Sequence, residues 1–124
     1  MGKLKLGLIV LKTREIEKML KFYKAIGLEW VEEKHGNGPT HYSTDLGETV
    51  LEIYPEERLS EKETVIRGNT VFSFSVDNLD DVLISLQEIG IETASPAKQS
   101  NWGRHVLVFD PDNRLIEFIE PNKP

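Results

Sequence analysis

No cysteine occurs among the 124 residues, which excludes disulfide staples, thiol nucleophiles and thiolate metal sites. Histidine is scarce, with three copies, so imidazole chemistry is limited to His35, His41 and His105. Long apolar runs are missing too. The longest, Leu6 to Leu11, falls far short of the ~20 residues that a membrane-spanning helix requires. Lys3 and Lys5 interrupt any apolar signal-peptide core, so a soluble cytoplasmic protein without a leader is expected. Basic residues are outnumbered, 15 against 21 acidic, for a net charge of −6. That charge repels phosphate backbones and anionic membranes, and neither nucleic acid nor membrane is expected as a partner. It suits a cationic ligand, and it equally suits plain solubility. Neither a serine triad nor a nucleotide-binding glycine motif is present.

What is present is a repeat. The length fits one domain over 1–124, and a hydrophobic content of 39% with 29% charged residues is ordinary for a globular chain. Ile16, Met19, Leu20, Tyr23 and Ile26 follow the spacing of one helical face. Leu79, Val82, Leu83, Leu86 and Ile89 repeat it 63 positions later. Both predicted helices end alike, in Ile26-Gly27-Leu28-Glu29 and Ile89-Gly90-Ile91-Glu92, with glycine where a left-handed residue closes a helix. Thr13, and Asp77 or Asn78, are the candidate N-caps.

A predicted strand precedes each helix, at Leu4–Leu11 and Thr70–Val76, and three follow it. These lie near Glu29–Glu33, Thr40–Thr44 and Thr49–Tyr54 in the first half, and near Glu92–Ala94, Arg104–Phe109 and Arg114–Ile119 in the second. The last strands match as Val50-Leu51-Glu52-Ile53 against Leu115-Ile116-Glu117-Phe118. The expected architecture is therefore α+β: two tandem βαβββ modules whose curved mixed sheet lines a cavity, with the helices outside. Module one covers 1–56, a charged connector 57–68, and module two 69–124.

Three stretches resemble the vicinal oxygen chelate superfamily, which includes glyoxalases, bleomycin-resistance proteins and extradiol dioxygenases. They are Phe22-Tyr23 followed by Ile26-Gly27-Leu28, then Val50-Leu51-Glu52-Ile53, and finally Trp102-Gly103-Arg104 with Asp110-Pro111-Asp112-Asn113-Arg114-Leu115-Ile116-Glu117. The last is the most specific. The resemblance covers nearly the whole chain and implies paired modules around a cavity, commonly in a homodimer. It also implies a divalent metal held by one first-strand and one last-strand residue of each module. Carried over, those positions are Leu8, Glu52, Val71 and Glu117. The carboxylates are kept, but leucine and valine have no lone pair to offer an ion.

Strand alternation adds neighbours to that cavity. If Glu52 faces it, so does Tyr54, and Ser73 lies two positions beyond Val71. Closing the first hairpin through Asp45–Glu48 pairs Ser43 with Val50 and His41 with Glu52. The matching closure sets Val106 opposite Glu117 and Arg104 opposite Ile119, whereas a one-residue slip presents Tyr42, His105 and Leu107 instead. His41 beside Glu52 reads as a substitute metal ligand, a general base, or a strand histidine in a salt link. The loop His35-Gly36-Asn37-Gly38-Pro39 reads as a hairpin connection or a cavity rim, with His35 exposed. Trp102, before a glycine in a loop, is a candidate ligand wall at the mouth.

The candidate cavity is thus Leu8, His41, Glu52, Tyr54, Val71, Ser73, Trp102, Arg104 and Glu117, with Glu52, Glu117 and His41 as possible metal donors and no catalytic residue assigned. Three functions compete. The first is binding of a small molecule, cationic in character, without the usual complete metal site, as in drug-sequestering bleomycin-resistance proteins. The second is a divalent-metal-dependent lyase or dioxygenase using Glu52, Glu117 and a displaced histidine. The third is a non-catalytic scaffold dimer.

Overall fold

The computed structural model of the protein describes residues 4–56 and 70–123. Its elements run β1 (Leu8–Thr13), α1 (Ile16–Ala25), β2 (Val31–Glu33), β3 (His41–Leu46), β4 (Thr49–Pro55), β5 (Phe72–Ser75), α2 (Leu79–Glu88), β6 (Lys98–Gln99), β7 (Gly103–Phe109) and β8 (Leu115–Pro121). The duplicated βαβββ order is present in an α+β fold, as two four-stranded mixed sheets ordered β1-β4-β3-β2 and β5-β8-β7-β6. The first strand of each module runs parallel to its last, and the other pairs are antiparallel. The chain divides into two compact units, Met1–Glu63 and Thr64–Pro124. The expected connector at 57–68 lies outside the described residues. Among the described residues no helix is long and apolar enough to cross a membrane.

Each module has its own core, built by alternation. In module one Leu11, Leu51 and Ile53 are buried with Met19, Phe22 and Tyr23 of α1. In module two Val106, Val108, Ile116 and Phe118 are buried with Leu79, Val82 and Leu86 of α2. Intervening strand residues such as Glu52 and Glu117 therefore point away from the helix. Both helices stop in the same way. The amides of Gly27 and Leu28 donate to the carbonyls of Lys24 and Tyr23, both at 3.0 Å, and those of Gly90 and Ile91 donate to Gln87 and Leu86 at 3.0 and 2.9 Å. This is the doubly bonded C-terminal motif, and Gly27 (φ 109°) and Gly90 (φ 79°) supply its left-handed residue.

Helix starts differ. Asn78 caps α2, its side chain accepting from the Asp81 amide at 3.1 Å. Asn78→Ala should cost about 1 kcal/mol in chemical denaturation, as the loss of such a cap typically does. Thr13 does not cap α1: it ends β1, its hydroxyl accepts from the Glu15 amide at 3.0 Å, and Glu15 holds the cap position without a side-chain bond. Two strands are displaced from expectation. β1 begins at Leu8 rather than Leu4, and β6 lies at Lys98–Gln99 rather than 92–94. Thr93 makes only an isolated bridge to Val108, and Pro96 in the intervening stretch has no N–H with which to carry the ladder on.

The hairpin registers decide which side chains share a face. In module one Leu46 pairs with Thr49, which sets Ser43 opposite Glu52 and moves the register two residues from the expected one. A two-residue shift preserves the face, so His41 remains on the Glu52 side. In module two Phe109 pairs with Leu115 across a five-residue loop. The buried Asp110 carboxylate organises that loop by accepting from the amides of Asp112 and Arg114 at 2.8 and 2.9 Å, with Asn113 left-handed at φ 63°. The odd loop turns the strand over: Leu107 stands opposite Glu117 and His105 opposite Ile119, in place of Val106 and Arg104.

Candidate functional site

On the face of the first sheet turned away from α1, His41 is the centre. It is 1% exposed. Its Nδ1 lies 3.2 Å from the Pro39 carbonyl, and its ring stacks on Tyr54 at 4.1 Å with an interplanar angle of 9°. Its Nε2 is 3.6 Å from a carboxylate oxygen of Glu52 and 3.6 Å from one of Glu33. Glu33 arrives because β2 pairs it directly with His41, and its other oxygen accepts from the Ser43 hydroxyl at 2.5 Å. His35, in the loop, places Nε2 3.3 Å from Glu33.

The electrostatics follow from those contacts. The Ser43 hydroxyl holds the Glu33 carboxyl below its ordinary range, against an opposing effect of burial, helped by His35 and His41. Burial pushes the Tyr54 phenol up, and the charges of Glu52 and Glu33 add to it, so the ring stays neutral at physiological pH. Beside this polar group lie apolar side chains of the same face. Leu8 pairs with Val50 and Val10 with Glu52, and Leu8 and Val10 are 52% and 41% exposed.

Module two presents a smaller version. Ser73, directly across from Glu117, donates its hydroxyl to that carboxylate at 2.6 Å. His105 brings Nδ1 to 3.7 Å from the other oxygen, a contact created by the odd hairpin loop. Val71 precedes β5 and is exposed. Arg104 is not at this face: it reaches the other way, to Asp80 of α2 at 2.8 Å. Trp102 stands in the loop before β7 and is 80% exposed. Each last-strand glutamate thus has an imidazole from an equivalent ladder position, His41 and His105 both standing across from the residue two beyond it. The hydroxyls differ: Ser73 bonds Glu117 directly, and Ser43 bonds Glu33.

A family model described as the Glyoxalase/Bleomycin resistance protein/Dioxygenase superfamily matches residues 5–118. The chain belongs to this superfamily. Solved structures of the same fold include an antibiotic-binding protein from a Streptomyces species (22% identity, TM-score 0.74, covering 98% of this chain and 99% of that one). Another is a glyoxalase/dioxygenase from Nostoc punctiforme (22%, 0.74, 96% and 92%). A third is a fosfomycin resistance protein from Mesorhizobium loti (18%, 0.67, 98% and 95%). A comparison with curated proteins found no significant match.

The divalent ion usual in the superfamily does not fit the positions where the resemblance places it. Leu8 and Val71 are apolar, and the residues truly opposite the glutamates, Val10 and Ser73, give no better pair. Valine has no donor, and the Ser73 hydroxyl is already committed to Glu117. No chemistry is assigned to an ion there. The contribution of Glu33 and His35 was not evident from sequence reasoning. The signal was the pattern Glu33-Lys34-His35 with His41 six residues on, across a glycine-rich hairpin that folds the three together.

Proposed function

We propose that the chain is a small-molecule-binding member of the superfamily that takes a cationic, partly apolar ligand without the family's complete metal set, in the manner of a drug-sequestering protein. The observation that carries this reading is the composition of the sheet faces turned away from the helices. Glu52 and Glu117 are kept in both modules, the first-strand metal positions are apolar in both, and exposed Leu8 and Val10 adjoin Glu52. Exposed aliphatic groups beside carboxylates favour a ligand with apolar surface and positive charge, because each part then loses water to a matching partner. The net charge of −6 assists the approach of such a ligand. The antibiotic-binding protein of the same fold lends support to a small-molecule ligand.

Calorimetric titration with a metal-free cationic glycopeptide of the bleomycin type, in the presence of chelator, tests the reading. Saturable binding is expected, and Glu52→Gln should weaken it about tenfold, equivalent to roughly 1.4 kcal/mol. Binding that is absent at high micromolar concentration would remove this drug class. Binding indifferent to Glu52→Gln would remove the role given to that carboxylate.

A further inference from the structure

We propose that the β2–β3 hairpin of module one is a binding site for one divalent transition-metal ion, held by Glu33, His35 and His41. Its three donors are none of the Leu8, Glu52, Val71 and Glu117 positions discussed above, although His41 Nε2 also faces Glu52 at 3.6 Å. The site stands whether or not the ligand proposal does.

Distances support it first. One donor atom from each of the three side chains lies within 4.8 Å of the others. The Glu33 oxygen is 3.3 Å from His35 Nε2 and 3.6 Å from His41 Nε2. A tetrahedral ion with bonds of about 2.0–2.1 Å sets neighbouring donors about 3.3–3.4 Å apart, so both contacts are near coordination spacing. The wider gap between the two imidazoles closes by rotation of His35, whose side chain is 75% exposed.

The buried imidazole supplies an independent argument. The Pro39 carbonyl can only accept, so the 3.2 Å contact makes His41 Nδ1 the donor. In the neutral ring Nε2 then carries a lone pair. That atom is buried and has no hydrogen-bond partner, and it faces oxygens of Glu33 and Glu52, which are acceptors as well. A lone pair directed at two carboxylates is an unfavourable arrangement that a bound cation turns favourable. The competing arrangement is an imidazolium, yet at 3.6 Å its N–H reaches neither carboxylate with a proper hydrogen bond.

The surroundings hold the donors as outer partners of a metal site do. The Pro39 carbonyl fixes the tautomer of His41, the Tyr54 ring fixes its plane, and Ser43 occupies Glu33 Oε1 so that Oε2 is presented. Two imidazoles and one carboxylate favour Zn²⁺, Ni²⁺ or Cu²⁺ over Mg²⁺ or Ca²⁺, which prefer all-oxygen shells. Three protein donors leave a coordination position for water or a small ligand.

The test is calorimetric titration of the chelator-stripped full chain with Zn²⁺, Ni²⁺ and Cu²⁺, with Mg²⁺ as control, and Cu²⁺ spin resonance to count bound nitrogens. One ion per chain at low-micromolar affinity or tighter is expected, with two imidazole nitrogens and no response to Mg²⁺. Glu33→Gln and His35→Ala should each weaken binding about 10–100-fold, and His35→Ala should leave one nitrogen. Glu117→Gln, outside this cluster, should leave the metal affinity unaltered. His41→Ala removes a buried ring and risks the fold, so exposed His35 carries the decision. Absence of saturable transition-metal binding, equal affinity in His35→Ala, or loss of binding in Glu117→Gln would each overturn the proposal. None of these outcomes bears on glycopeptide binding measured in chelator.

Discussion

Replacing Gly103 by alanine is expected to destabilise the protein by about 3 kcal/mol, a large cost for one methyl group. Gly103 opens β7 opposite Pro121 at φ 149°, and a Cβ there would lie 2.2 Å from the Glu120 carbonyl oxygen and 2.9 Å from two further backbone atoms. Backbone cannot move aside as the end of a flexible side chain does, so the β7–β8 pairing must open at its end. Asn122 and Ser100 beside it would be disturbed too, since the Asn122 amide donates to the Trp102 carbonyl and the Ser100 amide to Gly103. Gly47→Ala separates the two causes. Gly47 also has positive φ, at 85°, but nothing lies within 4 Å of a Cβ placed there. Its cost should be the conformational one alone, about 1 kcal/mol. Urea unfolding followed by circular dichroism measures both. Equal costs would show that close approach at Gly103 is not what selects glycine in the Trp102-Gly103-Arg104 motif.

The second large effect is in the core of module two. Phe118→Ala should cost about 3–5 kcal/mol, the usual loss for a fully buried aromatic that leaves a cavity. Phe118 is completely buried, stacks with Phe74 at 5.9 Å and pairs across the ladder with Val106. Its neighbour Glu117 points to the other face, so Glu117→Gln should change stability by less than about 0.5 kcal/mol. A large penalty for Glu117→Gln with a small one for Phe118→Ala would mean that the faces of β8 are reversed. The function assigned to Glu117 would then fall with them.

The same two faces explain what could be seen in the sequence and what could not. The helices were legible because Met19, Tyr23, Leu79, Val82 and Leu86 are spaced by a fixed period, and their ends because Gly27 and Gly90 sit where only a left-handed residue closes the turn. The pairing of Glu52 and Glu117 as duplicated last-strand carboxylates was legible from the repeat itself. The register of the second hairpin was not. It depends on the Asp110 side chain bonding two amides to make a five-residue loop, and one added residue moves Arg104 to the helix side and His105 to Glu117. Glu33 and His35 were missed for a different reason. β2 is only three residues long, and Val-Glu-Glu carries no alternation from which to predict a face.

The most direct measurement of the central claim is the thermal shift of the chelator-treated protein against cationic, neutral and anionic antibiotics of similar size. If the sheet faces bearing Glu52 and Glu117 bind a cationic molecule without metal, cationic members should raise Tm saturably. At a hundredfold excess over Kd the stabilisation is about 2.7 kcal/mol, which is a rise of several degrees for a chain of this size. The Glu52→Gln, Glu117→Gln double variant should lose that rise. Stabilisation by anionic compounds, or none by any cation, would contradict the account.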